Sequence, residues 1–512
     1  MVNVVGLEVP LLWASILIPI VVAVIVLFVR GAKATTTLSS SSLAVSAVLL
    51  VLAYLEALRR HAIVYDPLYA RVPGLGELSL FMDSYGFMVA FSSAAVSAIV
   101  AAYSYWYMAH RFEEMGLGED AWSLYHSLLL LFAAGLIGVG LASNAILFYV
   151  FLELTLIPSF LLIALYGYGE RVRIALLYLV WTHVGSTLYL LGVLLAGYHA
   201  GADGFNVFTV DEGLRSGTWE YLTPRYIVEV ALPMIIIGMG IKMALFGLHV
   251  WLPYAHAEAP TPLSALLSPN LIGVGAYGIL RFAAQTAPHI FAGYMPLLLT
   301  WALITMVYGG LVALAQDDVK RFLAYSSVSQ MGYLMLGLAS ATTLGYLGAM
   351  LHYVAHAFGK AALFMMAGVL IVAVHTRSMS KMGGLARIMP LTAAAALIGF
   401  LHLMGIPPTI GIWSKYFILR GFTEVIPSTM FTIAAIAVIV GTTLTAVYSL
   451  VSFRKIFLGP LPGAKPSHGH HHDGAGYEKE PLGMAILTLL VALVGIACFF
   501  ALPWLDAVTP SW

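Results

Sequence analysis

The stretch IVEVALPMIIIGMGIKMALFGLHVWLP, residues 227–253, decides the fold. It is long enough to cross a bilayer, which takes about 20 apolar residues, yet Lys242 lies inside it. Pro233, Gly238, Gly240, Gly247 and Pro253 are spread along it. A charged side chain at bilayer depth costs at least about 2.5–3.5 kcal/mol. Snorkelling to the surface is the inert alternative, but Lys242 sits too far from either polar end for that to be comfortable. The glycines and prolines make the helix locally breakable, and irregular backbone at this depth is tolerated only where it is buried in protein or lines a cavity. The segment reads as a broken membrane helix with an amine in its interior.

The same pattern returns further along the chain. In GIPPTIGIWSK, residues 405–415, Pro407 and Pro408 stand just before Lys415, and proline cannot continue a hydrogen-bonded helix. Interrupted helices at matching places in two repeated halves are the usual sign of a transport site. NAILFYVFLELTLIPSFLLIAL, residues 144–165, buries Glu153 with Pro158 shortly after it. Its bland alternative is a protonated carboxyl bonded to a backbone carbonyl. LHYVAHAFGKAALFMMAG, residues 351–368, places His352, His356 and Lys360 at four-residue intervals, on one helix face. One such histidine would usually be a packing residue, but two with a lysine in phase are harder to dismiss. Burial disfavours the charged form of a carboxyl or amine and an opposite charge restores it, so groups held between these forces exchange protons at modest cost. Histidine carries protons near neutral pH. Glu153, Lys242, His352, His356, Lys360 and Lys415 together read as an ion path.

Composition supports a membrane setting. Hydrophobic residues make up 61% of the 512, only 9% are charged, and the mean hydropathy is +0.94. Fourteen apolar segments are expected to span, near 10–29, 36–58, 84–108, 123–142, 144–167, 172–197, 227–250, 263–284, 294–315, 320–340, 342–374, 390–420, 429–453 and 481–502. The turn between the fourth and fifth must fall near Ser143 and Asn144. Loops after odd-numbered segments hold 14 Lys and Arg against 7 after even-numbered ones, which places the odd loops in the cytoplasm and both termini outside. The even count includes Arg281, and the odd count Lys320. The first apolar stretch has no basic residue before Arg30, so it is expected to be retained.

A net charge of zero gives no nucleic-acid footprint. The sequence holds neither a phosphate-binding loop nor a dinucleotide fingerprint, and its one cysteine, Cys498, cannot form an internal disulfide or a thiolate-held cluster. Three lesser features need a place. Asp83 is expected to cap a helix or face an aqueous edge. His183 reads as a core residue. His468, His470, His471 and His472, in HGHHHDG, read as an adventitious polar tract, with metal binding or proton collection as the functional alternative.

At these residues the chain resembles the antiporter-like subunits of respiratory complex I and their Mrp cation/proton antiporter relatives. The resemblance covers roughly 80–455 and rests on LPYAHAEAPTPLSALL (252–267), ALAQDDVKRFLAYSSVSQMGY (313–333), LHYVAHAFGKAALFMMAG (351–368), and HTRSMSKMGGLARIMPL followed by GIPPTIGIWSK (375–391 and 405–415). It implies an all-α polytopic membrane protein of about fourteen helices with two inverted five-helix repeats, each containing a broken helix. The implied divisions are N-terminal helices over 1–122, a first repeat over 123–284, a second over 285–455, and a His-containing loop and last helix over 456–512. It implies a Glu153–Lys242 pair in the first half-channel, Lys415 at the end of the second, and His352, His356 and Lys360 as the connection. Two departures stand out. Relatives usually carry a Lys or His in the eighth helix, where LIGVGAYGILR (271–281) has Gly273, and several carry His where this chain has Gln330. Water in the room left by Gly273, held by Asn270, is expected to bridge that gap.

The function implied is a proton-translocating subunit of a complex-I-like NADH-, F420H2- or ferredoxin-linked quinone oxidoreductase. The chain is expected to hold no cofactor of its own, with quinone, flavin and iron–sulfur clusters on partner subunits. Its partners would be other membrane subunits, the lipid of the cell membrane, and protons, with Na⁺ as the alternative ion. The competing readings are a subunit of an Mrp-type Na⁺/H⁺ antiporter or of a membrane-bound hydrogenase, and a structural membrane anchor. Chain-M and chain-L types both remain open.

Overall fold

The computed structural model describes residues 2–4, 7–67, 71–201, 204–209, 213–214, 217–424, 428–460 and 479–505. The tract containing His468, His470, His471 and His472 lies outside them. The helices in chain order are α1 (Leu11–Val26), α2 (Ala32–Arg60), α3 (Ser84–Met115), α4 (Asp120–Leu141), α5 (Ala145–Tyr166), α6 (Arg171–His199), α7 (Thr218–Leu222), α8 (Arg225–Lys242), α9 (Trp251–Glu258), α10 (Thr261–Leu266), α11 (Ile272–Ile279), α12 (Pro288–Ala292), α13 (Met295–Leu314), α14 (Val319–Ala339), α15 (Thr343–Val374), α16 (Pro390–Met404), α17 (Gly411–Thr423), α18 (Ser428–Phe457), α19 (Leu482–Phe500) and α20 (Leu502–Leu505).

Among the described residues ten helices are long and apolar enough to cross a membrane, one of them the compound span Thr261–Ala284, and α1 and α16 are shorter apolar helices. Each of the fourteen expected segments contains helix; the one near 227–250 holds α8 and then a non-helical turn that leads into α9, and the one near 390–420 is divided into α16 and α17. The connections add short antiparallel hairpins, such as Val64–Asp66 with Leu80–Met82, which apolar periodicity did not announce. Within Thr261–Ala284 the helix widens to π geometry over Leu267–Leu271 and Leu280–Ala284. Pro269, which has no N–H to donate, lies in the first of these.

Polar side chains fix several helix starts. Asp83 accepts from the Gly86 N–H, Asn144 from Ile146 and Leu147, Asp318 from Lys320 and Arg321, and Thr342 from Gly345. The Asn144 cap confirms the turn expected between α4 and α5.

The centre of the molecule is α15, which packs against α3, α10, α14, α16, α17 and α19. Every residue of it from Gly345 to Leu370 is buried. The periphery is the reverse, with Val180, Leu297 and Ile439 exposed. Because lipid is as apolar as leucine, helices in a membrane associate through close packing at small residues rather than by escaping water. An added Cβ at Gly185 would stand 2.8 Å from the Gly238 carbonyl, and one at Gly238 would stand 2.5 Å from that of Gly185. Gly238 therefore serves the approach of α6 to α8, not the break; the break uses Gly247, whose φ of +85° suits glycine.

Two sequence expectations need correction. Arg281, counted as a loop charge, is fully buried and ion-paired with Asp83. Asp83 does cap α3, but it is buried against that guanidinium rather than facing water. Lys320 is also fully buried, and its Nζ donates to the Ala259 carbonyl at 2.5 Å. A cation placed near the end of an apolar segment looks like a loop residue in sequence, and only tertiary packing shows that it has an internal partner.

Candidate proton path

A helix broken at membrane depth must satisfy its freed backbone groups within the protein. After α8 the chain turns through left-handed conformations at Ala244 (φ 54°) and Gly247 (φ 85°). Three tryptophans then close the gap. The indole N–H of Trp251 donates to the Ile241 carbonyl, that of Trp301 to Phe246, and that of Trp181 to Leu248, each at 2.9 Å. Thr305 Oγ1 accepts from the Phe246 N–H at 3.2 Å. With the break closed in this way, Lys242 is not needed to cap it. Its side chain is 1% exposed, and its Nζ has no hydrogen-bond partner in the protein.

Glu153 projects from α5 toward the same region, near enough to interact electrostatically with Lys242 but without an ion-pair contact. Its Oε2 lies 3.2 Å from His183 Nδ1 on α6, and the His183 side chain is 52% exposed. His183 is thus a partner of the carboxylate and not the core residue expected. The expected pair is present as two groups held apart, with a third group competing for one of them.

At the second break the lysine does the capping. Lys415 Nζ donates to the Met404 carbonyl at 2.5 Å and to that of Leu403 at 3.4 Å, at the C-terminal end of α16. That end carries partial negative charge, which favours a cation. The amine also lies 5.0 Å from the centre of the Tyr333 ring. Next to it, Ser414 Oγ meets His352 Nδ1 at 3.1 Å, which links α17 to α15. The His352 ring stacks on Tyr333 with centroids 4.9 Å apart.

Along α15, the buried His356 ring is directed at the Pro269 carbonyl in the widened stretch Leu267–Leu271. Lys360, also buried, donates to the Leu323 carbonyl at 2.9 Å and to Ser326 Oγ. Ser326 and Ser327 both donate to that carbonyl, and Ser327 continues to Ser268 at 2.7 Å. Gln330 is turned toward α18, bonding Tyr448 at 2.8 Å and Thr445 at 3.2 Å.

The gap at Gly273 is filled differently from the expectation. A Cβ there would meet the Tyr353 ring at 2.4 Å, so the glycine admits an aromatic ring from α15 instead of leaving room for water. The Tyr353 hydroxyl points to the Asn270 carbonyl at 3.4 Å. The Tyr353 side chain also meets Ser93 of α3, and the Asn270 side chain and the Ser92 and Ser97 hydroxyls are buried with no protein partner. Any water serving this zone lies beside the ring, among those groups.

Two further buried basic residues lie near these groups and were not singled out, His256 and Lys320. His256, inside LPYAHAEAP, is fully buried, stacks on Phe364 at 4.7 Å, and has no partner at either nitrogen. It stands close enough to Lys320 and Lys360 to interact with both charges. The signal for both was their presence in a quoted motif, LPYAHAEAPTPLSALL for His256 and ALAQDDVKRFLAYSSVSQMGY for Lys320, although Lys320 was counted as a loop charge. Among the described residues no group of three or more His, Cys, Asp or Glu is arranged to hold a metal ion.

The sequence profile of the family described as "NADH:quinone oxidoreductase/Mrp antiporter, TM" matches residues 142–443. The chain is 32% identical over 438 residues to NAD(P)H-quinone oxidoreductase chain 4 1 of Synechococcus sp. (strain JA-3-3Ab), covering 84% of this chain and 78% of that one. It is 35% identical over 338 residues to chain 4 1 of Synechococcus elongatus, covering 66% and 62%. Its fold matches a chain of respiratory complex I from Thermus thermophilus with bound NADH, with TM-score 0.77 and 26% identity over 97% of this chain and 98% of that one. It also matches a chain of the Mrp complex from Dietzia sp. DQ12-45-1b, with TM-score 0.77 and 23% identity over 98% and 95%. With its two broken helices and its central row of buried bases, this multi-pass membrane chain belongs to the NADH:quinone oxidoreductase/Mrp antiporter transmembrane family.

Proposed function

We propose that the chain is a proton-translocating membrane subunit of a complex-I-like quinone oxidoreductase, in which redox chemistry on partner chains drives proton transfer through Glu153, Lys242, His352, His356, Lys360 and Lys415. The observation that carries this reading is Lys242: buried, without a hydrogen-bond partner, and within electrostatic reach of a carboxylate that is itself held by His183. An amine with no fixed partner is free to change protonation when a nearby charge moves. When Glu153 approaches, the charged form of Lys242 is favoured; when it returns to His183, the lysine releases its proton toward α15. Moving one charge against 100 mV takes about 2.3 kcal/mol, and bringing two opposite unit charges to about 4 Å at the effective dielectric of a protein is worth about 4 kcal/mol, so the approach of one carboxylate is of the required size.

The reading includes two halves, 123–284 and 285–455, each with one broken helix, and a cell-membrane setting with both termini outside. Flavin, iron–sulfur clusters and quinone belong to the partner chains. The test is a pair of variants in the assembled complex, with ion uptake measured in sealed vesicles. Glu153→Gln keeps volume and hydrogen bonding but not charge and is expected to reduce pumping at least tenfold, whereas Glu153→Asp retains partial activity. Equal activity of the two would remove the charge switch. Uptake that follows Na⁺ rather than H⁺ would replace the proton by sodium.

A further inference from the structure

Between the C-terminal ends of α3 and α15 and the α5–α6 loop lies a cavity of about 430 Å³ lined by His110, Glu114, Tyr168, Ile371, His375 and Arg377. Glu114 and His375 are exposed, so the cavity communicates with the aqueous face. Its inner wall is Tyr168, and that residue is firmly held. The Tyr168 N–H donates to the Glu258 carbonyl at 2.8 Å. Arg111 lies 3.8 Å over its ring and donates to the carbonyls of Tyr166, at 3.2 Å, and Gly167. Behind it runs a line of hydroxyls: Tyr168 OH and Tyr107 OH lie 2.7 Å apart, and Thr261 Oγ1 donates to Tyr107 OH at 2.9 Å. Lys320 Nζ is 5.7 Å from the Tyr168 ring centre, and His256, with both nitrogens unpartnered, is within electrostatic reach of Lys320 and Lys360.

We propose that this cavity is the proton-loading mouth of the relay on the face that carries Arg111 and Arg377, and that Tyr168, Tyr107, Thr261, Lys320 and His256 carry protons from it to Lys360. A hydroxyl passes a proton by accepting one on its oxygen and releasing its own to the next acceptor, so no charge is left in the chain. His110 and His375 collect protons at the rim, where Glu114 is ion-paired with Arg111 at 2.6 Å. Arg111 and Arg377 are positioning residues: the first holds Tyr168, and the second ties the α15 end to the Ala257 carbonyl at 2.7 Å and to Asp318 at 2.8 Å. The proposal rests on the proton-transfer reading above, which assigns no entry.

The test closes the mouth after assembly. In a Cys498→Ser background, Ile371→Cys places a thiol in the cavity wall, and the intact complex in vesicles is treated with a bulky, membrane-impermeant methanethiosulfonate on one face at a time. Labelling from this face is expected to lower proton pumping at least fivefold relative to the same unlabelled protein, while reagent on the opposite face changes nothing. Tyr168→Phe, which removes only a hydroxyl, is expected to slow pumping severalfold and to raise its H₂O/D₂O rate ratio. Full pumping by the labelled protein, or a full rate with an unchanged isotope ratio for Tyr168→Phe, overturns the proposal. Lys360→Met run in parallel separates the two readings. If it pumps normally the relay itself is wrong; if it is inactive while the labelled protein pumps, only the mouth is wrong.

Discussion

At the scale of single residues, the two lysines beside the breaks do different work. Lys415 caps the carbonyls of Leu403 and Met404; Lys242 caps nothing. Lys415→Gln keeps a donor for those carbonyls but cannot carry a proton. It is expected to assemble with a near-normal melting temperature and to pump poorly. Lys415→Met loses the cap as well and is expected to cost about 1–3 kcal/mol, the usual penalty for a buried polar group left unpaired, seen as a lower melting midpoint of the purified complex. Equal stability of the two would mean that the cap contributes nothing. Gly273 gives a second residue-level test. With a Cβ there placed 2.4 Å from the Tyr353 ring, even Gly273→Ala should lower stability and assembly, and Gly273→Lys should not be accepted. Adding Tyr353→Leu should restore assembly of Gly273→Ala; failure to do so would place the clash elsewhere.

At the scale of elements, the broken helix α8–α9 exists because its backbone groups are satisfied from outside. Trp251→Phe leaves the Ile241 carbonyl without its donor at a cost of about 1–3 kcal/mol. It should lower complex yield and melting temperature together. The matched control is Trp106→Phe, on a side chain 41% exposed, where little change is expected. If both variants behave alike, the indole is not what closes the break. The existence of the breaks was legible in the sequence, because Pro407 and Pro408 cannot continue a hydrogen-bonded helix and Gly247 permits the positive φ of the turn. Their closure was not, since Trp181 and Trp301 reach across from α6 and α13. For the same reason Gly238 was read as a weak point, when its role is the contact with Gly185 on a neighbouring helix.

At the scale of the whole molecule, the segmentation was legible because an apolar run of spanning length announces itself through composition alone. The row His352, His356 and Lys360 was legible because its spacing matches one helix face. What stayed hidden depended on which polar atoms meet across long sequence separations. Arg281 finds Asp83, Lys320 finds Ala259, and His183 takes hold of Glu153; none of these pairings leaves a local trace. The account as a whole stands on a buried amine that changes protonation as its neighbours move, and Lys242 is where that claim is exposed most fully. The direct test is dye-reported membrane potential in vesicles containing the intact complex, energised by its own redox reaction, with Lys242→Ala compared with the native chain at matched assembly. Loss of the potential in an assembled complex is the expected result, and a potential formed at the native rate and extent would contradict the account.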